Sequence, residues 1–265
     1  NFATLAQKVQ QTQALDPQKL FAARKAVGNA LVHGLGYYWS DTYVQLNDGA
    51  AYRYDGESAG KRSLKNLALA YWAKSDERKS DAWRAVRNQY QNSDNMTDRI
   101  AALNIAIEYF HDDNVGADAL MSNFYQRYQD EALVIDKWFS AQASRSTGTF
   151  TQMQTTLHTL MAHPAFANPN PNRLRSMIFA FCNMNPHHFH QVDGAGYRFW
   201  AEQVLAIDAK NPQTASRLAR SCENWRLFAE PYQSHMKHAL QHIAAAPNLS
   251  DDVGEIVRKA LHLPH

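Results

Sequence analysis

Apolar positions along this chain recur three and four residues apart far more often than they alternate. Ile100, Leu103, Ile107 and Phe110 do so within DRIAALNIAIEYF, and Leu174, Met177, Ile178 and Phe181 within NRLRSMIFAFC. That period places each set on one face of a helix. The stretch DPQKLFAARKAVGNALVHG (16–34) adds an Asp cap, a first-turn Pro and a terminal Gly, three signals that bound a helix for separate physical reasons. Further helix starts are read near Asp76, Thr97, Asp112, Asp130, Thr147, Asn170, Asp193, Asn211, Ala229 and Ser250. Taken in pairs they give a unit of about 35–42 residues, the length of stacked helical hairpins. TYVQLND (42–48) and AAYRYD (50–55) alternate weakly; a helix followed by a loop is preferred there to a short hairpin. No Gly/Ser/Pro-rich linker divides the chain. The pattern predicts one all-α domain over 1–265, an irregular α-α superhelix of the armadillo/HEAT-like solenoid kind with roughly a dozen helices.

Composition narrows the function classes. With 45% hydrophobic and 20% charged residues and a net charge of +2, the chain can bury a core and is not disordered by default. Charges of both signs interleave, as in KSDERKSDAWR (74–84), so no nucleic-acid footprint is expected. Cys182 and Cys222 sit in helical patterns, which suits buried free thiols in a reducing compartment. No apolar run approaches the ~20 residues of a membrane span, and no secretory leader opens the chain. It begins in mid-amphipathic helix without an initiator methionine and reads as a piece of something longer.

The densest candidate chemistry is PHHFHQVDG (186–194), where His187, His188, His190 and Asp193 could each ligate a metal. Zinc sites usually draw ligands at regular spacing from rigid elements. Here Pro186 and Gly194 bracket an inter-helix loop. The residues favour solvent-facing histidines, with the Asp193 carboxylate capping the next helix. His235, His238 and His242 lie on one helix amid Lys and Gln and read as surface. GESAGK (56–61) has three residues between its glycines where a phosphate loop needs four. No GxSxG, HExxH or dinucleotide fingerprint occurs. Within NPQTASRLARSCENW (211–225), Asn211 caps, Pro212 opens, and Ala215, Leu218, Ala219 and Cys222 form the buried stripe. Gln213, Arg217 and Arg220 share another face, which is either a donor patch for carbonyls and carboxylates or an ordinary hydrated surface. Arg175, amid apolar Ile178, Phe179 and Cys182, either snorkels to water or is held in a crevice.

Residues 163–228 (HPAFANPNPNRLRSM to CENWRLF) resemble the C-terminal helical domain of the bacterial aminopeptidase N family of zinc metallopeptidases. SAGKRSLKNLALAYW, NMTDRIAALNIAI, LVIDKWFSAQA and the ending LSDDVGEIVRKAL are similar to that family too, so the resemblance runs from about residue 16 to the end. His190, Asp193, Gly194, Gly196 and Tyr197 match a family pattern in which nothing suggests a metal, while His187 and His188 fall at variable positions. The resemblance implies that zinc is held by an HExxH helix and a downstream Glu in a domain preceding this one. It implies no metal and no catalytic residue in this segment, which would be inactive alone. Its partners would be the catalytic domain of the same polypeptide and peptide substrates, with no nucleic acid and no membrane, in the cytoplasm. The superhelix would cap the catalytic domain, and Arg175, Gln213 and Arg217 would line the substrate chamber. Met177 and Phe179 stand where the family has Leu and Gly. The family's domain begins earlier, so its first helices would be missing here. The alternative is a free-standing α-solenoid interaction module.

Overall fold

The computed structural model describes residues 2–11, 13–111 and 116–262. These form sixteen α-helices. The first eight are α1 (Phe2–Gln10), α2 (Pro17–Leu35), α3 (Tyr38–Leu46), α4 (Gly56–Lys74), α5 (Lys79–Asn92), α6 (Met96–Tyr109), α7 (Ala117–Tyr128) and α8 (Ala132–Ala143). After them come α9 (Phe150–Met161), α10 (Pro171–Leu174), α11 (Ala180–Met184), α12 (Pro186–Phe189), α13 (Ala195–Asp208), α14 (Pro212–Ala219), α15 (Tyr232–Ala244) and α16 (Asp251–Leu261). A π-helical turn, Arg175–Phe179, joins α10 to α11. The all-α class agrees with the sequence pattern. Among the described residues the one β-type pairing is an isolated parallel bridge between Leu15 and Phe228.

Side chains mark many of the helix starts. Asn95, Asn170, Asn211 and Ser250 each accept the backbone N–H three residues on, and Thr149 with Gln152 completes a capping box. Each such cap satisfies an orphan donor of the first turn and is worth about 1 kcal/mol. The start read near Asp112 lies outside the described residues. Two other readings shift. α2 runs one residue past Gly34, and Gly36 takes the left-handed backbone (φ 41°) that ends it. The weakly alternating 42–55 stretch is the end of α3 followed by an irregular loop, because Tyr43 turns inward on the helical period and is 3% exposed.

Cα packing divides the chain into two compact units, residues 24–148 and residues 1–23 with 149–265. In the first, α4 packs on α3, α5 and α6, while α6 also meets α7 and α8. Its core holds Leu69, Leu103, Phe124, Ile135 and Phe139, all less than 2% exposed. In the second, α13 packs on α12, α14 and α15, and α16 closes on α14 and α15. Tyr197, Trp200, Phe181, Phe189, Met153 and Leu157 fill that core. The Trp200 indole donates to the Leu218 carbonyl at 2.9 Å, fastening α13 to α14.

Candidate functional site

The three chamber-lining candidates all belong to the second unit and all face solvent. α10 opens on Asn170 and Pro171 and runs straight into the π-helical turn. There the Ala180 N–H reaches back five residues to the Arg175 carbonyl, inserting one residue into the helical register. The insertion keeps Leu174, Met177, Ile178 and Phe181 inside and turns Arg175 out, where its Nη1 donates to Asn172 Oδ1 at 3.1 Å. Of the two readings for Arg175, the exposed guanidinium is therefore the one found. The buried arginine of this segment is Arg173, 7% exposed, which donates to the Ala165 carbonyl at 2.6 Å. Next to it, His163 has its pKa lowered by burial and then by the Arg173 charge.

Gln213 and Arg217 lie four residues apart on the exposed face of α14, opposite the buried Ala215, Leu218 and Ala219. Neither side chain has a hydrogen-bond or ion-pair partner among the described residues, and none joins either of them to Arg175. Arg220 differs. It starts a 3₁₀ turn and is held by Glu223 at 3.2 Å. The free donors are thus Gln213 and Arg217, mounted on a helix whose inner face is locked into the core.

The histidine loop overturns one expectation. His188 and His190 are 1% and 8% exposed rather than solvent-facing, and His187 is half-buried. The physical reason is tertiary contact invisible to local pattern: the His188 ring faces Phe150, the His190 ring packs on Tyr197 and Phe228, and the start of α2 docks on the loop backbone and on His187. Gln18 Nε2 donates to the carbonyls of His187 and His190 at 2.8 and 2.7 Å, and Phe21 stacks on the His187 ring at 4.2 Å between centroids. His190 Nδ1 shares a hydrogen bond of 2.8 Å with the Tyr197 hydroxyl. Burial lowers the His190 pKa to about 3 and raises that of Tyr197, so the imidazole is neutral. Asp193 accepts the Ala195 N–H at 2.9 Å, serving α13 from just before its Gly194 cap. Among the described residues no three His, Cys, Asp or Glu side chains come together as metal ligands would. His238 and His242 are exposed, as surface residues should be, whereas His235 is half-buried and lies against Gly194. Burial pushes the thiols of Cys182 and Cys222 upward, which makes them poor nucleophiles.

One feature escaped the sequence. In the first unit a polar cavity of about 520 Å³ opens between the 47–53 loop, the first turns of α4 and the α5–α6 junction. Beneath it Lys65 and Asp98 form an ion pair of 2.7 Å with both side chains nearly buried. Asn66 donates to the other Asp98 oxygen at 2.8 Å, and Gln89 donates to Asn66 and to the Asp98 carbonyl. GESAGK, rejected as a phosphate loop, is the first turn of α4, capped by Asp55. The signal available in sequence was only a charged residue on an otherwise apolar helical face in each of two helices.

A family profile described as a domain of unknown function (DUF3458_C) with ARM repeats matches residues 1–262. Aminopeptidase N of Haemophilus influenzae is 34% identical over 251 residues, 94% of this chain and 27% of its own length. Aminopeptidase N of Escherichia coli is 34% identical over 247 residues, covering 93% and 27%. That of Caulobacter vibrioides is 32% identical over 249 residues, covering 94% and 28%. The crystal structure of Legionella pneumophila aminopeptidase A in complex with aspartic acid superposes with a TM-score of 0.84 at 24% identity, over 97% of this chain and 30% of that one. It shares the fold. The chain spans 27–28% of the length of these aminopeptidase N relatives.

Proposed function

This chain belongs to the DUF3458_C ARM-repeat family, and on that premise we propose that it serves as the C-terminal helical domain of an aminopeptidase that removes N-terminal residues from peptides. The observation that carries the reading is the collinear similarity of 93–94% of the chain to aminopeptidase N. In this role the helices cap a catalytic domain carried elsewhere in the same polypeptide. An uncovered apolar stripe supports such a contact: Val27, Leu31 and Leu35 stand at successive turns of α2 and are 40–63% exposed, more than a solvated helix face ordinarily leaves bare.

Arg175, Gln213 and Arg217 then line the substrate chamber and offer donors to peptide carbonyls or carboxylates. Zinc, which the family implies, does not fit the donors present here. His190 is committed to Tyr197, His187 to Gln18 and Phe21, and both thiols are buried. The metal and the hydrolytic step belong to the remainder of the polypeptide, and the isolated segment is inactive. The free buried thiols suit the cytoplasm, and no described helix is long and apolar enough to cross a membrane.

The test is Arg217→Ala in the intact enzyme. Losing one charged hydrogen bond to substrate lowers kcat/KM by about tenfold or more, with the effect varying with peptide length and the melting temperature unmoved. Unchanged constants across a length series would remove Arg217 from the chamber. A pure sample of the isolated chain that released nitroaniline from alanine nitroanilide would refute the assignment of catalysis to the other part.

A further inference from the structure

Aspartate followed directly by glycine occurs three times in the chain, at Asp48–Gly49, Asp55–Gly56 and Asp193–Gly194. Such a pair is intrinsically reactive. The glycine nitrogen can close a five-membered ring on the aspartate carboxyl, and no Cβ hinders its approach. The dipeptide is the same in all three places, and the fold separates them.

Asp55 is the cap of α4. Its two oxygens accept the Ser58 N–H at 2.8 Å and the Ser58 hydroxyl at 2.9 Å, which draws the carboxyl over the first turn and away from Gly56. The same bonds hold its pKa below the usual carboxylate value, whereas ring closure needs a protonated carboxyl that can release water. Gly56 is the first residue of α4, so the helix fixes its backbone. Asp193–Gly194 is restrained differently. The Gly194 N–H donates to the Gln191 carbonyl at 3.0 Å, and the residue is buried with the His235 ring where a Cβ would stand. The Arg198 guanidinium lies 3.5 Å from the Asp193 carboxylate and favours its charged form.

Asp48–Gly49 has none of these restraints. It lies in the irregular loop after α3, and both residues are exposed. Nothing stands within 4 Å of the place a Gly49 Cβ would take. Among the described residues the Gly49 N–H has no acceptor and Asp48 has no ion-pair partner. Asp48 Oδ1 accepts the Ala50 N–H at 2.9 Å, an Asx turn that folds the carboxyl back across the Gly49 peptide. Asp193 makes the same turn with Ala195, so the free amide and the open backbone are what distinguish the two.

We propose that Asp48–Gly49 is a site of spontaneous main-chain rearrangement in the folded protein, forming a succinimide that opens to isoaspartate. The Gly49 nitrogen attacks Asp48 Cγ. A C–N bond forms, the carboxyl C–OH bond breaks, and the hydroxyl leaves with the nitrogen's proton as water. Water then adds back at either ring carbonyl. Cleavage at Cγ restores Asp48. Cleavage at the former main-chain carbonyl leaves the chain running through Cβ and Cγ, with a free carboxylate on the α-carbon. Water is lost and regained, so nothing is oxidised or reduced and the mass is unchanged.

The three pairs fall in separate tryptic peptides, 26–53, 54–61 and 176–198. The 265-residue chain is aged at near-neutral pH and digested, and each peptide is assayed for label accepted from radioactive S-adenosylmethionine through a protein isoaspartate methyltransferase. In the folded chain, peptide 26–53 accepts label that grows with time and splits into two chromatographic peaks of one mass, while the other two peptides stay unlabelled. A chain aged in guanidinium chloride labels in all three. Asp48→Glu, whose longer side chain requires a six-membered ring, loses the label in 26–53. The proposal is overturned if folded 26–53 takes no label, or if 54–61 or 176–198 takes it as fast. It is overturned as well if the unfolded chain keeps the same selectivity, which would trace it to neighbouring residues. Undiminished labelling of Asp48→Glu would do the same by moving the site to Asp41.

Discussion

His190 should make this protein acid-sensitive in a way a single substitution can isolate. Its ring is enclosed by Phe189 and Phe228, with centroids 5.0 and 5.3 Å away, and bonded to the Tyr197 hydroxyl. Among the described residues no carboxylate offsets a proton placed there, and burial takes the pKa from the ordinary 6.5 to about 3. Between those values the unfolded chain binds a proton that the folded chain refuses. Stability is therefore complete above pH 6.5 and declines as pH falls, by about 1.4 kcal/mol for each unit, until the folded imidazole itself titrates. From pH 6.5 to 5 the loss is about 2 kcal/mol. His190→Gln retains a polar partner for Tyr197 but does not titrate. Urea unfolding of both proteins at about pH 7.5 and about pH 5 gives the difference directly, since all other groups cancel. The wild type should lose about 2 kcal/mol more than the variant on acidification. Equal losses in the two proteins would mean that His190 takes up a proton inside the fold, and the argument from burial would fail.

Three further outcomes follow from packing. Gly196→Ala would place a Cβ 2.0 Å from the Phe189 carbonyl oxygen, backbone that cannot yield, so thermal melting should show a loss of about 3 kcal/mol or more; a wild-type melting temperature would contradict that contact. Asp98→Ala strands the Lys65 ammonium in a nearly buried site and should cost about 3–5 kcal/mol in denaturant unfolding, whereas Lys61→Ala, its exposed neighbour on α4, should cost well under 1 kcal/mol. Ser250→Ala removes the cap of α16, whose hydroxyl also meets the Asp208 carboxylate at 2.5 Å; a loss of about 1–2 kcal/mol is expected, and no change would show that the Asp208 bond to the Ser250 N–H suffices.

What could be read from the sequence was local chemistry. Asn170, Asn211 and Ser250 cap helices because an oxygen on a short side chain reaches an amide three residues on, whatever the rest of the fold does. The stripe Leu174, Met177, Ile178 and Phe181 is buried as its spacing requires. The failures share a different cause. His187 meets Gln18 and Phe21 about 170 positions away, the His188 ring faces Phe150, and the His190 ring is enclosed by Tyr197 and Phe228; no periodicity reports such partners. Arg175 and Arg173 are alike in sequence, and the π turn between α10 and α11 decides which is exposed. Lys65 and Asp98 were each plausible surface residues until α4 and α6 met. Gln213 and Arg217 were legible as exposed donors.

The pairing of Leu15 with Phe228, two backbone bonds of 2.8 Å each, bears on the order in which the chain can be built. A ribosome releases residues 24–148 as one uninterrupted stretch, able to collapse as soon as it emerges. The unit that begins first must wait, because its opening strand-like segment finds its mate only after more than two hundred further residues have been made. During synthesis residues 24–148 should mature before the unit that flanks them on both sides, and the start of α2 stays unclaimed until the 186–190 loop has been made.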